Sequence, residues 1–388
     1  MPESIFYKNS GMLAGKVIVI VHGTLNFGGA ERQSVILARY LMQYENAIVE
    51  IWGFTGPGEL SRLCDREGIP WRIQPFFWGM LNSIKSLTSL AKQLKKRKVD
   101  VLLPYTHWPN VACNLIWRIA GAKVCLWNQR NEGHERLPYI YEKIAVLNAD
   151  VFVSNSKAGA DFLTSTYTIN KEVNLVNNGI ETIIPNSYSE KWCKKLYLDN
   201  STVSACMVAN ITAKKDHKTL IFAWRKVVNE MDRKGKKAVL VLAGVQYDNH
   251  HLADLTIKLG LEKNVYFVDF VKDIPGLLSI MDLGIFSSIS EGCPNGLLEC
   301  MSSGLAIAAT DIPAIRAVLS EANLPFLSPI GDSDRLSNNI IQLFCDKELC
   351  DKIGEFNSLR IQNEFSPYKM CTSMTTLISE GFQRSLNS

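Results

Sequence analysis

The chain has no C-x-x-C pair, no G-x-G-x-x-G, no Gly-Lys-Ser/Thr and no apolar run long enough to cross a bilayer. Each absence removes a class of protein. Its ten cysteines are scattered, and several (Cys113, Cys125, Cys206) lie inside apolar stretches. That pattern fits reduced, buried thiols of a cytosolic protein and excludes a disulfide framework or a zinc site. Lys16 precedes only the short run Val17 to Val21, too brief for a signal segment. The formal net charge of +4 is too small to argue for nucleic acid, while it suits anionic ligands or an anionic membrane surface. Asp332 and Asp334 form a D-x-D, but their setting, PIGDSDRLSNNI, is the start of a helix, where acids favour the dipole. They are expected to cap that helix, so no metal site is predicted.

What is present is a long chain with large apolar content: 388 residues, 47% hydrophobic and 21% charged. That length exceeds what one core usually serves, so two domains are expected. Lys16 to His22 reads as a buried strand that runs into a glycine-containing loop (Gly23, Gly28, Gly29) and a helix through Leu41. Gly29 and Ala30 stand where a P-loop has Lys and Ser/Thr, so the Walker reading fails. Further strands are predicted at Ala47–Gly53, Val99–Leu103, Lys123–Trp127 and Val151–Ser156. An amphipathic helix, Leu81–Lys98, sets Ile84, Leu87, Leu90 and Leu94 on one face and clusters basic residues late. Two polar clusters follow strands, Tyr105–Asn110 and Asn128–Glu132, at the edge where parallel sheets bind ligands. After the polar stretch Pro185–Lys195 a second set of strands opens at Thr202–Ala209, with Ala238–Gly244 and Val265–Asp269 to follow.

The most informative stretch is Glu291 to Asp311, EGCPNGLLECMSSGLAIAATD. Asp282 to Ser288 before it reads as a buried strand. Pro294, Asn295 and Gly296 break the pattern, Asn295 is a natural N-cap, and Leu297, Leu298 and Met301 repeat at helical spacing. Gly304 fits a helix C-terminus, and Leu305 to Ala309 reads as the next buried strand. A strand, turn, helix and strand make a parallel βαβ unit. Glu291 sits in the loop and Glu299 eight positions later in the helix. The backbone N–H groups of Gly296 to Leu298, with the positive pole of the helix, suit a phosphate. An anion between two acids is an unusual demand, and a nucleotide sugar meets it: diphosphate at the helix end, hydroxyls on the carboxylates.

This stretch resembles the E-x7-E signature of the retaining glycosyltransferases of family 4; EG-x-PN, LLE and the closing ATD match as well. The resemblance extends from Gly28 to about Phe382. It implies the α/β GT-B fold: two facing Rossmann-like domains with a cleft between them, and a C-terminal helix crossing back to the first. The implied domains are 1–185 with 365–388, and 186–364. It further implies transfer of a hexose from a nucleoside diphosphate sugar to a sugar or lipid-linked acceptor, with retention, no metal and no other cofactor. Peripheral contact with the inner face of a membrane would follow from a lipid-linked acceptor. Carried over position by position, Glu299 holds the donor ribose, Glu291 faces the sugar, and Lys215 in KDH meets the diphosphate with the helix end at Pro294, Asn295, Gly296 and Leu297. Gly28 and Gly29 let backbone approach the donor, or make a tight turn, and the backbone after Val265–Asp269, at Val271, meets the base. The sequence departs from the pattern twice. Asn210 and Thr212 fall where relatives have Arg, and no His follows Lys123–Trp127, which leaves Arg130 as the substitute. Those gaps keep open a degenerate nucleotide-sugar binder, or a GT-B epimerase, as alternatives.

Overall fold

A computed structural model describes residues 11–26, 28–130, 139–181, 189–199, 201–245 and 250–387. The chain divides into two compact units, Met1–Gly179 with Pro367–Ser388, and Ile180–Ser366. The boundary expected at 185 falls among residues outside those described.

The first unit alternates strand and helix: β1 (Val17–His22), α1 (Gly29–Gln43), β2 (Ile48–Gly53), α2 (Glu59–Glu67), β3 (Trp71–Ile73), α3 (Met80–Arg97), β4 (Val101–Pro104), α4 (His107–Ala120), β5 (Val124–Gln129), α5 (Tyr139–Asn148), β6 (Val151–Ser154), α6 (Lys157–Tyr167) and β7 (Val173–Leu175). Among the described residues its strands form one parallel sheet in the order β3-β2-β1-β4-β5-β6-β7. Helices cover both faces, which is why the strands are apolar almost throughout. Ile18 and Ile20 pack into one core with Leu37 of α1, while Val19 and Val21, pointing the other way, pack with Leu94 of α3 and Ala112 of α4.

Strands β4 and β5 are in register only at Val101↔Val124 and Leu102↔Cys125. Beyond that, α4 supplies the missing partners. Asn114 donates to Leu126 O at 3.0 Å, Asn110 donates to Asn128 O at 2.8 Å and accepts from Asn128 N at 3.0 Å. Buried backbone groups must be paired, and side-chain amides pair these where the strands splay. Asn128 and Gln129, expected in the loop, are therefore the last residues of β5 and are buried.

The packed face of α3 differs from expectation. Leu90, Ala91 and Leu94 are buried, but Ile84 is 65% exposed. Ser86 explains the roll: its hydroxyl accepts from Phe77 N at 3.0 Å and donates to Phe77 O at 3.2 Å, so it takes the inner position in the first turns. Residues two apart lie on opposite sides of a helix, so Ile84 turns out.

The second unit contains α7 (Ser189–Leu196), β8 (Thr202–Val208), α8 (His217–Arg233), β9 (Lys237–Ala243), α9 (His250–Lys258), β10 (Val265–Val268), α10 (Ile274–Leu278), β11 (Leu283–Phe286), α11 (Asn295–Ser302), β12 (Ala306–Thr310), α12 (Pro313–Val318), β13 (Leu327–Ser328), α13 (Ser333–Cys345) and α14 (Lys347–Glu364). Its parallel sheet runs β10-β9-β8-β11-β12-β13 among the described residues. The expected terminal helix is split at Phe365 and Ser366, and Pro367 opens α15 (Pro367–Asn387). That last helix belongs to the first unit, where Met370, Met374 and Ile378 are buried in the same core as Ile18.

In each sheet the strand order reverses once, between β1 and β4 and between β8 and β11. Loops on either side of such a reversal diverge and leave a crevice at the carboxyl edge. The residues of interest lie after these strands.

Candidate functional site

In the second unit, the loop after β8 and the loop after β11 meet across the reversal. Lys215 sits in a 3-10 turn, Ala213–Lys215, whose position is set by three tethers. Ile289 N donates to Lys214 O at 2.8 Å, Ser287 Oγ donates to Lys215 O at 2.9 Å, and the Lys215 ammonium contacts Glu291 Oε1 at 2.5 Å. Ser288 Oγ donates to the same Glu291 oxygen at 2.7 Å. Thr310, at the end of β12, holds the loop from below by donating to Ser288 O at 2.5 Å. The two residues singled out as catalytic in this half are thus in contact.

Helix α11 begins at Asn295, and Pro294 is its cap residue with no side-chain cap bond. The expected N-cap role of Asn295 is therefore corrected: the proline, whose ring fixes φ, ends the extended loop and Asn295 is already helical. Gly296 is explained by a close approach. A Cβ there would lie 1.9 Å from Val208 O, so only glycine lets the first turn of α11 press against the end of β8. Leu297 is buried in the core, and Glu299 is 4% exposed in the second turn. Gly304, at φ +76°, follows the helix as expected. Asn210 spends its carboxamide oxygen on Val245 N at 3.0 Å. Val271 is 8% exposed in the segment after β10.

Two neighbours of Lys215 were not singled out in the sequence. Asp216 adopts φ +44° and caps α8, accepting from Thr219 N and from Thr219 Oγ1. His217 is buried, and neither of its ring nitrogens has a hydrogen-bond partner among the described residues. Burial, and secondarily the charge of Lys215, pushes its imidazole down to about 4, so it is neutral at physiological pH. The D-x-D behaves as expected: Asp332 caps α13 by accepting from Arg335 N at 2.8 Å, and Asp334 in the first turn pairs with Lys226.

The first unit has its own polar edge. Gly28 is extended (φ −151°) and Gly29 opens α1, so the pair makes no left-handed turn. A Cβ on Gly28 would lie 2.7 Å from Glu31 Oε2; the glycine leaves room for that carboxylate. Glu31 Oε1 is 3.6 Å from His22 Nδ1, and His22 Nε2 lies 2.8 Å from Ser34 Oγ. Burial raises the Glu31 pKa, but the hydrogen bond and charge of His22 outweigh it, and the carboxyl ends below its usual range. Arg130 donates to Asn178 Oδ1 at 2.7 Å and lies 4.8 Å over the Tyr105 ring, whose hydroxyl is pushed up by burial against the opposing charge of Arg130. Thr106, next after Tyr105, holds φ +71°, a strained state for a β-branched residue. His22 and Glu31 were not expected at this edge: His22 ends an apolar strand, and Glu31 stands in the first turn of α1. A cavity of 550 Å³ lies elsewhere in this unit, lined by Trp117, Asp150, Lys171 and Arg384, and by none of these residues.

Residues 27–183 match the family described as Glycosyltransferase Family 4, and residues 189–359 match Glycosyl transferases group 1. The N-acetyl-alpha-D-glucosaminyl L-malate synthase of Bacillus anthracis is 25% identical over 209 residues, 54% of either chain. An Escherichia coli UDP-Gal:alpha-D-GlcNAc-diphosphoundecaprenol alpha-1,3-galactosyltransferase is 22% identical over 287 residues, 70% of this chain and 73% of that one. The alignments span only 30% to 61% of the first curated relatives matched. Among solved structures, Anabaena Alr3699/HepE in complex with UDP and glucose superposes with a TM-score of 0.81 at 17% identity, over 94% of this chain and 100% of that one. Each half of the chain matches a glycosyltransferase family model, and both halves have the parallel α/β architecture of the GT-B fold.

Proposed function

We propose that this chain is a retaining glycosyltransferase that moves a hexose from a nucleoside diphosphate sugar to an acceptor hydroxyl, in the synthesis of a surface polysaccharide or glycolipid. The observation that carries the reading is the Lys215–Glu291 contact at the reversal of the second sheet, beside a helix start that Gly296 brings against β8. The Lys215 ammonium rests on the Glu291 carboxylate. A diphosphate entering at the amino end of α11 competes for the same ammonium, and Glu291 is then released toward the sugar hydroxyls. Glu299 takes the ribose. Lys215 and the α11 amides offset the charge that develops on the leaving diphosphate, so the chemistry calls for no metal. Attack comes from the face of the leaving group, whose phosphate oxygen accepts the acceptor's proton. In the first unit, Arg130 with Gly28 and Gly29 contributes to the sugar and phosphate side, and in the second unit Val271 contributes to the base. Work on a lipid-linked acceptor takes place at the inner face of a membrane, met peripherally. Names of relatives that carry UDP, glucose or galactose support a uridine donor.

The test is turnover on a panel of nucleotide sugars, with donor binding followed by thermal shift. Glu299→Ala is expected to weaken donor affinity by about tenfold or more while unfolding stays cooperative. Lys215→Ala is expected to lower turnover by roughly a hundredfold, the usual effect of losing one transition-state charge partner. Binding without turnover for every donor and acceptor would replace this reading with that of a nucleotide-sugar-binding subunit.

A further inference from the structure

The first sheet has a second edge, where its strands begin, and the cavity of 550 Å³ lies there. Lys123, Asp150 and Glu172 line it and immediately precede β5, β6 and β7, while Leu377, Gly381 and Arg384 of α15 close it from the other side. Strand β5 is six residues long, so this edge is about 20 Å from Arg130, which follows the same strand. Gly381 sets the depth. A Cβ there would stand 3.0 Å from Asp150 Oδ2 and 3.0 Å from Val124 Cγ1, so the glycine lets α15 press onto the starts of β5 and β6. Asp150 is incompletely satisfied: its Oδ2 is buried, accepts no hydrogen bond among the described residues, and has Arg384 Nη2 at 3.7 Å, beyond hydrogen-bond reach. A buried carboxylate oxygen without a donor is costly, and a ligand that supplies one removes that cost. The cations around it are held in place. Lys171 donates to Ala149 O at 2.8 Å, and Arg118 lies 4.3 Å over the Trp117 ring and donates to Asn148 Oδ1 at 3.1 Å. Lys123, Glu172 and Glu380 line the same cavity with no ion-pair partner among the described residues.

We infer that this cavity is a binding site for an acidic sugar, a pyranose that carries a carboxylate, either free or as one residue of a longer chain. The lining charges select that chemistry. A bare anion would meet Lys123, Lys171 and Arg384 but also three carboxylates, and a bare cation would meet four positive groups. A hexuronate answers both signs at once: its carboxylate accepts from the ammonium and guanidinium groups, and its ring hydroxyls donate to Asp150 Oδ2, Glu172 and Glu380. Trp117, whose indole N–H is taken by Asn148 O at 3.0 Å, and Leu377 form an apolar wall for the C–H face of the ring. The cavity volume falls in the ordinary range for small-molecule sites, about 300–1,000 Å³. This site is separate from the proposed transfer chemistry and does not rest on it, because it is built at the opposite edge of the sheet from Arg130.

The test is titration of the full chain with galacturonic acid, followed by ligand-observed NMR, with glucose and acetate as the two halves of its chemistry. Galacturonic acid is expected to bind about tenfold or more tightly than either, since it alone makes charge-assisted contacts of both signs. Arg384→Glu with Lys123→Glu should weaken that binding by roughly tenfold or more; both side chains are exposed, so unfolding should stay cooperative. Asp150→Asn is the second variant, keeping the shape of the side chain: it should weaken galacturonic acid and leave acetate no weaker. A linear trimer of galacturonic acid separates the two sources, tighter binding of the trimer assigning the site to a chain and equal binding to the free sugar. No binding of galacturonic acid, binding matched by glucose, acetate or the amino acid glutamate, or binding that survives both variants overturns the inference. Thermal shift with uridine diphosphate keeps it apart from the transferase reading: a chain that answers galacturonic acid but not the nucleotide sinks that reading and leaves this site standing.

Discussion

At the scale of single residues, the candidate site is built from side chains that have little freedom. Lys215 is held through its own backbone and through its ammonium, and Glu291 is held by Lys215 and Ser288. His217, next but one, packs unpaired in the interior. Its unfolded imidazole takes a proton below about pH 6.5, whereas the folded one stays neutral until about 4. The unfolded state therefore binds more protons in that window, and stability falls as pH drops through it, by an amount on the order of 3 kcal/mol. Urea unfolding at a series of pH values should show that loss, and His217→Phe should remove about one proton's worth of its slope; an unchanged slope would show that His217 is not the group responsible. Gly296→Ala tests the close approach. A Cβ 1.9 Å from Val208 O cannot be accommodated without moving backbone, so a loss of about 2 kcal/mol or more in thermal unfolding is expected.

At the scale of elements, strands and helices followed from apolar runs and punctuation, because the strands of a doubly covered parallel sheet must be apolar on both sides. The βαβ unit around α11 was legible for that reason, and so was Gly304 at its end. What ran against expectation were rotations and edges. Ile84 turned out because Ser86 found two backbone partners, and no periodicity argument contains that competition. Edges of the sheets are completed by asparagines: Asn323 accepts from Ile307 N at 2.9 Å, donates to Ile307 O at 2.6 Å and accepts from Asn357 at 2.8 Å. It stands in for strand residues beside β12, since β13 pairs only with Ala309 and Thr310. Asn323→Leu would leave these buried groups unpaired. We expect a loss of about 2–4 kcal/mol, read from the urea midpoint at unchanged slope. A loss below about 0.5 kcal/mol, within the range of ordinary surface substitutions, would mean that water replaces the amide.

At the scale of the whole molecule, the last helix of the chain completes the core of the first unit, since Met370, Cys371, Met374 and Ile378 are all 3% exposed or less in a cluster that also contains Ile18 and Ile20. Deleting residues 367–388 should therefore destabilise the first unit by well over 5 kcal/mol and leave the second intact, as burying each such side chain is worth about 1.5–3 kcal/mol. Calorimetry should show the first unit's transition lost or moved far down, and an unchanged profile would contradict the packing. By itself, the sequence determined the α/β class, the division into two sets of strands, and the Glu291–Asp311 unit, because these rest on local periodicity and on spacing within one βαβ segment. Only the tertiary structure decided that Lys215 touches Glu291, that His22 and Glu31 share the edge with Gly28, and that Gly381 of α15 lies against Asp150. Each of those depends on which strands become neighbours and on how far a helix is rotated, quantities fixed by packing across long separations and written in no single stretch of chain.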